Sequence, residues 1–231
     1  MKLKLIHVVV LGIIVVLAFF ISKNMRDVQR SDKNIKYVAI GDSYTIGLGI
    51  DEKGRWPNVM TVHLKEKGIN IELVANPSVS GYTVRDAIEI ELPLAANIKP
   101  DFVTVLIGAN DNFMQRSRDD YHADLTKLLD RLQPMLSDPK NIVLITIPDY
   151  SKSPALQETK EEGLSEFIDG YNDVIKEEAE TRGLPVADIF PVSQTMTGDD
   201  DYILDGLHPS AQGYARWEKV IFPVVFNLLK N

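Results

Sequence analysis

Cysteine is missing from all 231 residues of the chain, which rules out disulfides, thiolate nucleophiles, cysteine-ligated metals and lipid attachment through a thiol. It does not fix a compartment, because chains without disulfides occur on both sides of a membrane. Basic charge is also scarce: 25 Lys and Arg stand against 33 Asp and Glu, for a formal net charge of -8, and no long basic run occurs. The electrostatic footprint of a nucleic-acid binder is therefore lacking, and nucleic acid is not an expected partner. No internal repeat or low-complexity tract is found. With a 45% hydrophobic fraction, a chain of this length fills one core, and one globular domain is expected.

A single long apolar run exists, from Leu5 to Ile21, interrupted only by His7 and preceded by Lys2 and Lys4. As a helix its 17 residues would span about 26 Å, slightly less than a ~30 Å hydrocarbon core, and Lys4 and Lys23 can snorkel across the difference. A cleaved signal wants small residues at its end, whereas this run finishes Ala18-Phe19-Phe20-Ile21-Ser22-Lys23. We read residues 1–22 as an uncleaved N-terminal membrane anchor, with a signal segment as the alternative. Residues 23–35 are polar and mixed in charge and read as a tether. Residues 36–231 then form the functional domain, expected on the extracytoplasmic side because the short amino end is uniformly basic.

From Tyr37 onward, short apolar runs alternate with stretches of helical period, the pattern of βαβ units on a parallel sheet. Strands are predicted at Tyr37–Ile40, Ile69–Val74, Phe102–Ile107, Ile142–Ile147 and Leu184–Ala187. Pro57 suits the first turn of a helix stopping at Gly68, and Thr83 with Asp86 suits the start of a second. A third presents Tyr121, Leu125, Leu128, Leu129 and Leu132 on one face. A fourth is expected to bury Leu164, Phe167, Ile168, Tyr171 and Val174 before Gly183, and the last starts at Ser210, with Pro223 expected to kink it. The irregular segment Asp149 to Glu162 follows a strand's carboxyl end, where loops border ligand crevices. It reads as a substrate rim or, equally, as a surface connection.

Chemistry concentrates at four places, three after predicted strands and one just before the final helix. Gly41-Asp42-Ser43 closes the first strand and delivers a serine into a glycine-containing loop. A serine hydroxyl needs a base to become a nucleophile. Of the four histidines, only His208 sits in a block with a catalytic grammar, Asp205-Gly206-Leu207-His208-Pro209 just before the final helix, with a carboxylate three residues upstream. Asp205 can reach Nδ1 and fix the tautomer that leaves Nε2 free for Ser43. His7, His63 and His122 read as structural. Acyl transfer also requires donors fixed in advance for an oxyanion; the Gly81 amide and the Asn110 side chain suit this, and Asp111 is expected to brace its turn. Asp42 is expected to hold the nucleophile's turn without titrating in the reaction. The acidic run Asp199-Asp200-Asp201 lacks calcium-loop spacing and reads as a solvated loop.

These blocks, Gly41-Asp42-Ser43, Gly81 after Asn76, Gly108-x-Asn110-Asp111 and Asp205-x-x-His208-Pro209, resemble in order and spacing the SGNH/GDSL hydrolases. The Trp56-Pro57 pair is most similar to their bacterial thioesterase/lysophospholipase-like esterases. The resemblance implies a flavodoxin-like three-layer α/β/α fold with a five-stranded parallel sheet in the order 2-1-3-4-5. It also implies a catalytic set of Ser43, Asp205 and His208, an oxyanion hole from the Ser43 backbone, Gly81 and Asn110, and no cofactor or metal. Tyr44, where Leu is frequent, and Pro77 depart from the pattern without touching a reacting atom. An α/β-hydrolase elbow is set aside because Thr45 stands where G-x-S-x-G needs its last glycine.

The function expected is a serine esterase or lipase-type hydrolase cleaving carboxylic ester or thioester bonds through an acyl-enzyme. Small esters, lysophospholipids or acylated glycans are the candidate substrates. An acyltransferase moving an O-acetyl group to a glycan, or a non-catalytic binding module on the same fold, are the alternatives. Phe113, Met114, Arg116 and Arg118 follow Asn110 and either line the mouth or form a solvated loop.

Overall fold

The apolar runs Tyr37–Ile40, Phe102–Leu106 and Ile142–Ile145 are buried on both sides, as strands covered by helices on two faces must be. The computed structural model describes residues 34–157 and 162–230. It holds five parallel strands, β1 (Ile35–Gly41), β2 (Ile71–Ala75), β3 (Phe102–Leu106), β4 (Ile142–Ile145) and β5 (Val186–Ala187), in the order β2-β1-β3-β4-β5. The predicted sheet order is thus observed. The expected membrane segment lies outside the described residues, among which no helix is long and apolar enough to cross a membrane.

Helices α1 (Ser43–Ile46), α2 (Trp56–Glu66), α3 (Val84–Asp86), α4 (Leu92–Ile98), α5 (Ala109–Phe113), α6 (Arg118–Leu132), α7 (Pro154–Gln157), α8 (Leu164–Arg182), α9 (Phe190–Ser193) and α10 (Ala211–Leu229) fill the connections. They cover both sides of the sheet: α2 packs on α10, while α6 packs on α8 and α4. Between α3 and α4 the chain makes a π-helical turn over Ala87–Glu91. Thr83 and Asp86 form a reciprocal capping box at the start of α3, and Ser210 caps α10 at the amide of Gly213. That last helix runs on through Pro223 to Leu229.

Several strands are shorter than their apolar runs, for identifiable reasons. Ile69 donates its N–H to Leu64 O, closing α2, so β2 starts two residues later. Beyond Ile145, the Asn172 side chain from α8 takes both polar groups of Ile147, accepting its N–H at 2.7 Å and donating to its carbonyl at 3.0 Å. This side chain replaces a neighbouring strand, and the chain peels away towards the rim. At β5, Leu184 N–H closes α8 on Ala179 O, and Pro185 has no N–H to give the ladder. Phe167 differs from its expected burial: it is 36% exposed and packs edge-on to Tyr171.

An aromatic wedge supports the carboxyl edge of the sheet. Tyr44 lies 5.5 Å from Trp217 between ring centroids and 5.4 Å from His208, and its carbonyl accepts Trp56 Nε1–H at 3.1 Å. Trp217 donates to Met196 Sδ. Burying each tryptophan removes roughly 200 Å2 from water, a gross stabilisation of about 5 kcal/mol.

Candidate active site

The first strand ends at Gly41 because nothing larger fits there. A Cβ at this position would sit 2.4 Å from Leu106 O on β3 and 2.1 Å from Thr45 Oγ1. The close approach lets α1 begin at once, with Asp42 as its cap accepting the Tyr44 amide at 2.9 Å. Ser43 is thereby held, almost fully buried, at the carboxyl edge of the sheet. Gly108 plays the matching part after β3: its φ is +122°, and a side chain would strike Tyr121.

Ser43 and His208, far apart in the chain, meet at the sheet edge. His208 Nε2 lies 2.9 Å from Ser43 Oγ, and His208 Nδ1 lies 2.7 Å from Asp205 Oδ2. Asp205 also accepts the amides of Leu207 and His208 at 2.8 and 2.9 Å. It therefore orients the ring and caps the turn together. Partial burial works against the charge, but these two amides and the imidazole outweigh it and hold the Asp205 carboxyl below the usual carboxylate range. The turn is anchored from α10, where Arg216 reaches Asp201 at 2.7 Å, and by a bridge between Tyr202 and Pro209. Asp201 is thus engaged rather than free in a solvated loop.

A cleft of about 160 Å3 opens over this pair, walled by Tyr44, Phe113, Tyr150 and Leu207 and edged by Ser80, Gly81 and Asn110. Gly81 has φ +89° and open space where a side chain would be. Asn110 Nδ2 donates to Tyr82 O at 2.9 Å, which fixes the amide plane. Its second contact, to Asp42 Oδ2, is 3.4 Å, at the margin of a hydrogen bond. All five residues singled out for nucleophile, base, orienter and oxyanion donors therefore gather at one strand edge. His63 and His122 stand apart, each 2.8 Å from a glutamate, Glu218 and Glu178; His7 lies outside the described residues.

Of the two readings left open for the residues after Asn110, cleft mouth or solvated loop, neither holds for Arg116, which turns inward and pairs with buried Asp111 and with Asp124. Arg118 donates instead to Gly170 O at 3.3 Å. Phe113 does line the cleft, and Met114 is exposed. Asp111 braces its turn by accepting the Val84 amide at 3.0 Å; burial pushes its carboxyl up, against the pull of that amide and Arg116.

Sequence reasoning left the Asp149 segment divided between rim and surface connection. Its first part is a rim: Tyr150 forms a cleft wall and its hydroxyl donates to Asn112 Oδ1. Buried Asp149 gathers Ser151, Ser165 and Gln194 beneath it. Residues 158–161 lie outside the described residues. Buried Glu91 was missed altogether, although the spacing Val84, Ala87, Ile88, Glu91, Leu92, Ala95 places an acid in an otherwise apolar helical stripe.

A serine hydroxyl, an imidazole and a carboxylate in hydrogen-bonded series, beside candidate oxyanion donors on an α/β sheet edge, define the class of serine acyl hydrolases. Residues 39–216 match the model of the GDSL-like lipase/acylhydrolase family, and the chain belongs to that family. Similarity to individual members is low. An arylesterase of Vibrio mimicus is 23% identical over 185 residues, which is 79% of this chain and 84% of that one. The structure of TesA superposes with a TM-score of 0.68 at 20% identity, over 85% of this chain and 99% of that one. The acetylxylan esterase Axe2 of Geobacillus stearothermophilus gives a TM-score of 0.64 at 24% identity, over 83% of this chain and 94% of that one. At these identities the structural likeness speaks for the fold alone.

Proposed function

We propose that this esterase works through an acyl-enzyme on Ser43 and acts on small carboxylic esters or thioesters carrying a short acyl group. The carrying observation is the unbroken series Asp205 Oδ2, His208 Nδ1, His208 Nε2, Ser43 Oγ, with separations of 2.7 and 2.9 Å. Ser43 Oγ attacks the carbonyl carbon as its proton passes to His208 Nε2. The oxyanion forms against the amides of Ser43 and Gly81 and the Asn110 amide hydrogen, which is held at only 3.4 Å by Asp42. Collapse expels the alcohol or thiol, which takes the proton from Nε2, and water then repeats the cycle on the acyl-enzyme.

The short-acyl preference rests on the size of the cleft and its aromatic walls, Tyr44, Phe113 and Tyr150. The names of the similar arylesterase and acetylxylan esterase accord with it. Purified protein should hydrolyse p-nitrophenyl acetate and be labelled by a fluorophosphonate, and Ser43→Ala should abolish both; an unchanged Ser43→Ala rate ends this reading. Product analysis with a glycan acceptor present separates hydrolysis from acyl transfer. We further propose that the chain is membrane-anchored with this domain extracytoplasmic, on the strength of the run Leu5–Ile21 alone. Determining the mature amino terminus tests the anchor, since processing near residue 22 would mean release.

A further inference from the structure

Beneath the nucleophile turn lies a group that the acyl-transfer steps do not use. Glu91 is fully buried at the end of the π-helical turn Ala87–Glu91. Such turns insert one extra residue into a helix and recur at functional sites. Glu91 Oε2 accepts the Gly41 amide at 3.1 Å and lies 3.5 Å from Ser78 Oγ, itself buried; Oε1 has no partner among the described residues. Gly41 precedes the nucleophile by two residues, and Ser78 precedes Gly81 by three. One carboxyl therefore touches both loops that carry the reacting serine and its backbone oxyanion donor.

We propose that Glu91 is a positioning residue for acyl transfer, bracing the Ser43 turn against the Gly81 loop from below. This role rests on the serine acyl-transfer reading given above.

The electrostatics indicate which form of the acid does this. No cation is paired with Glu91 among the described residues. The ionisable groups that face it are carboxyls, Asp42 from the nucleophile turn and Asp86 from α3. Asp42 in turn faces Asp111 of α5, whose charge Arg116 offsets, and influences the phenols of Tyr44 and Tyr214. Burial first, then Asp42 and Asp86, push the Glu91 carboxyl up to about 8, although the Gly41 amide and Ser78 pull the other way. Glu91 is thus the neutral acid at neutral pH. Its ionisation would put an unpaired charge between the two loops, and relief of that charge would shift them.

The sign follows from linkage. A carboxyl bound more tightly to its proton in the folded state than in the unfolded one loses stability as pH rises from its ordinary value, 4.5, to about 8. Glu91→Gln keeps the shape and the acceptor for Gly41 but cannot ionise. We expect wild-type kcat to fall above about pH 8 while Glu91→Gln holds its alkaline rate, with KM little changed in both. The melting temperature of wild type should decline more steeply than that of Glu91→Gln across the same rise in pH. Glu91→Ala, which removes the brace, should lower kcat up to about 100-fold, the scale set by a misplacement of about 1 Å. Coincident pH profiles for wild type and Glu91→Gln, in an active wild type, overturn the role of Glu91 alone. A wild type that turns over no ester sinks the reading of Ser43 and this role with it.

Discussion

Replacing Asp205 by asparagine tests the catalytic series at its most informative point. Asparagine retains an oxygen for the Leu207 and His208 amides, now 2.8 and 2.9 Å from the carboxylate, but sets an NH2 group against Nδ1. The imidazole then carries its proton on Nε2, aimed at Ser43, and no base remains. A fully buried orienting carboxylate is worth ~10,000-fold in turnover, or about 5.4 kcal/mol. The Asp205 side chain is 40% exposed, so solvent screens part of its field, and a loss of about 100- to 1000-fold is expected, roughly 3–4 kcal/mol. The assay is kcat/KM on p-nitrophenyl acetate, paired with the rate of fluorophosphonate labelling at Ser43. Melting temperature serves as the control, and should hardly move because the turn's caps survive. Activity within about threefold of wild type at an unchanged melting temperature would refute the assignment of Asp205 as orienter.

Asn110→Ala should reduce kcat by about 100- to 1000-fold with a smaller change in KM; a change confined to KM would move Asn110 from the oxyanion hole to substrate binding. Arg116→Ala should destabilise the fold by about 3 kcal/mol, the low end for breaking a buried ion pair, because burial already raises the Asp111 carboxyl towards its neutral form. Urea denaturation measures this, and an unchanged midpoint would show that Asp111 and Asp124 need no cation.

The fold was readable because β1, β3 and β4 are buried on both faces and appear as unbroken apolar runs, while glycines and caps mark the helix ends. The acid–base pair was readable because Asp205 and His208 sit three residues apart in one turn, so their contact is local. What escaped depends on partners distant in the chain. Nothing near Ile147 announces that Asn172 will end the strand, and the window Asn112 to Ser117 reads as a polar loop until α6 brings Asp124 to Arg116. Glu91 was hidden for a different reason: amphipathic reading looks for the apolar members of a stripe and passes over the acid among them.

The compactness of the Asp205 turn bears on how this scaffold tolerates change. All three bonds of its carboxylate fall within Asp205–His208, so the base and its orienter form a cassette aligned by local contacts. Arg216, the Tyr202–Pro209 bridge, the Ala155 amide on Gly206 O and the Tyr44 ring set where the cassette stands. Phe113, exposed on α5 and outside that turn, can therefore be changed to reshape the cleft's border while leaving the proton relay as it is, which makes it the natural place to graft new substrate preferences.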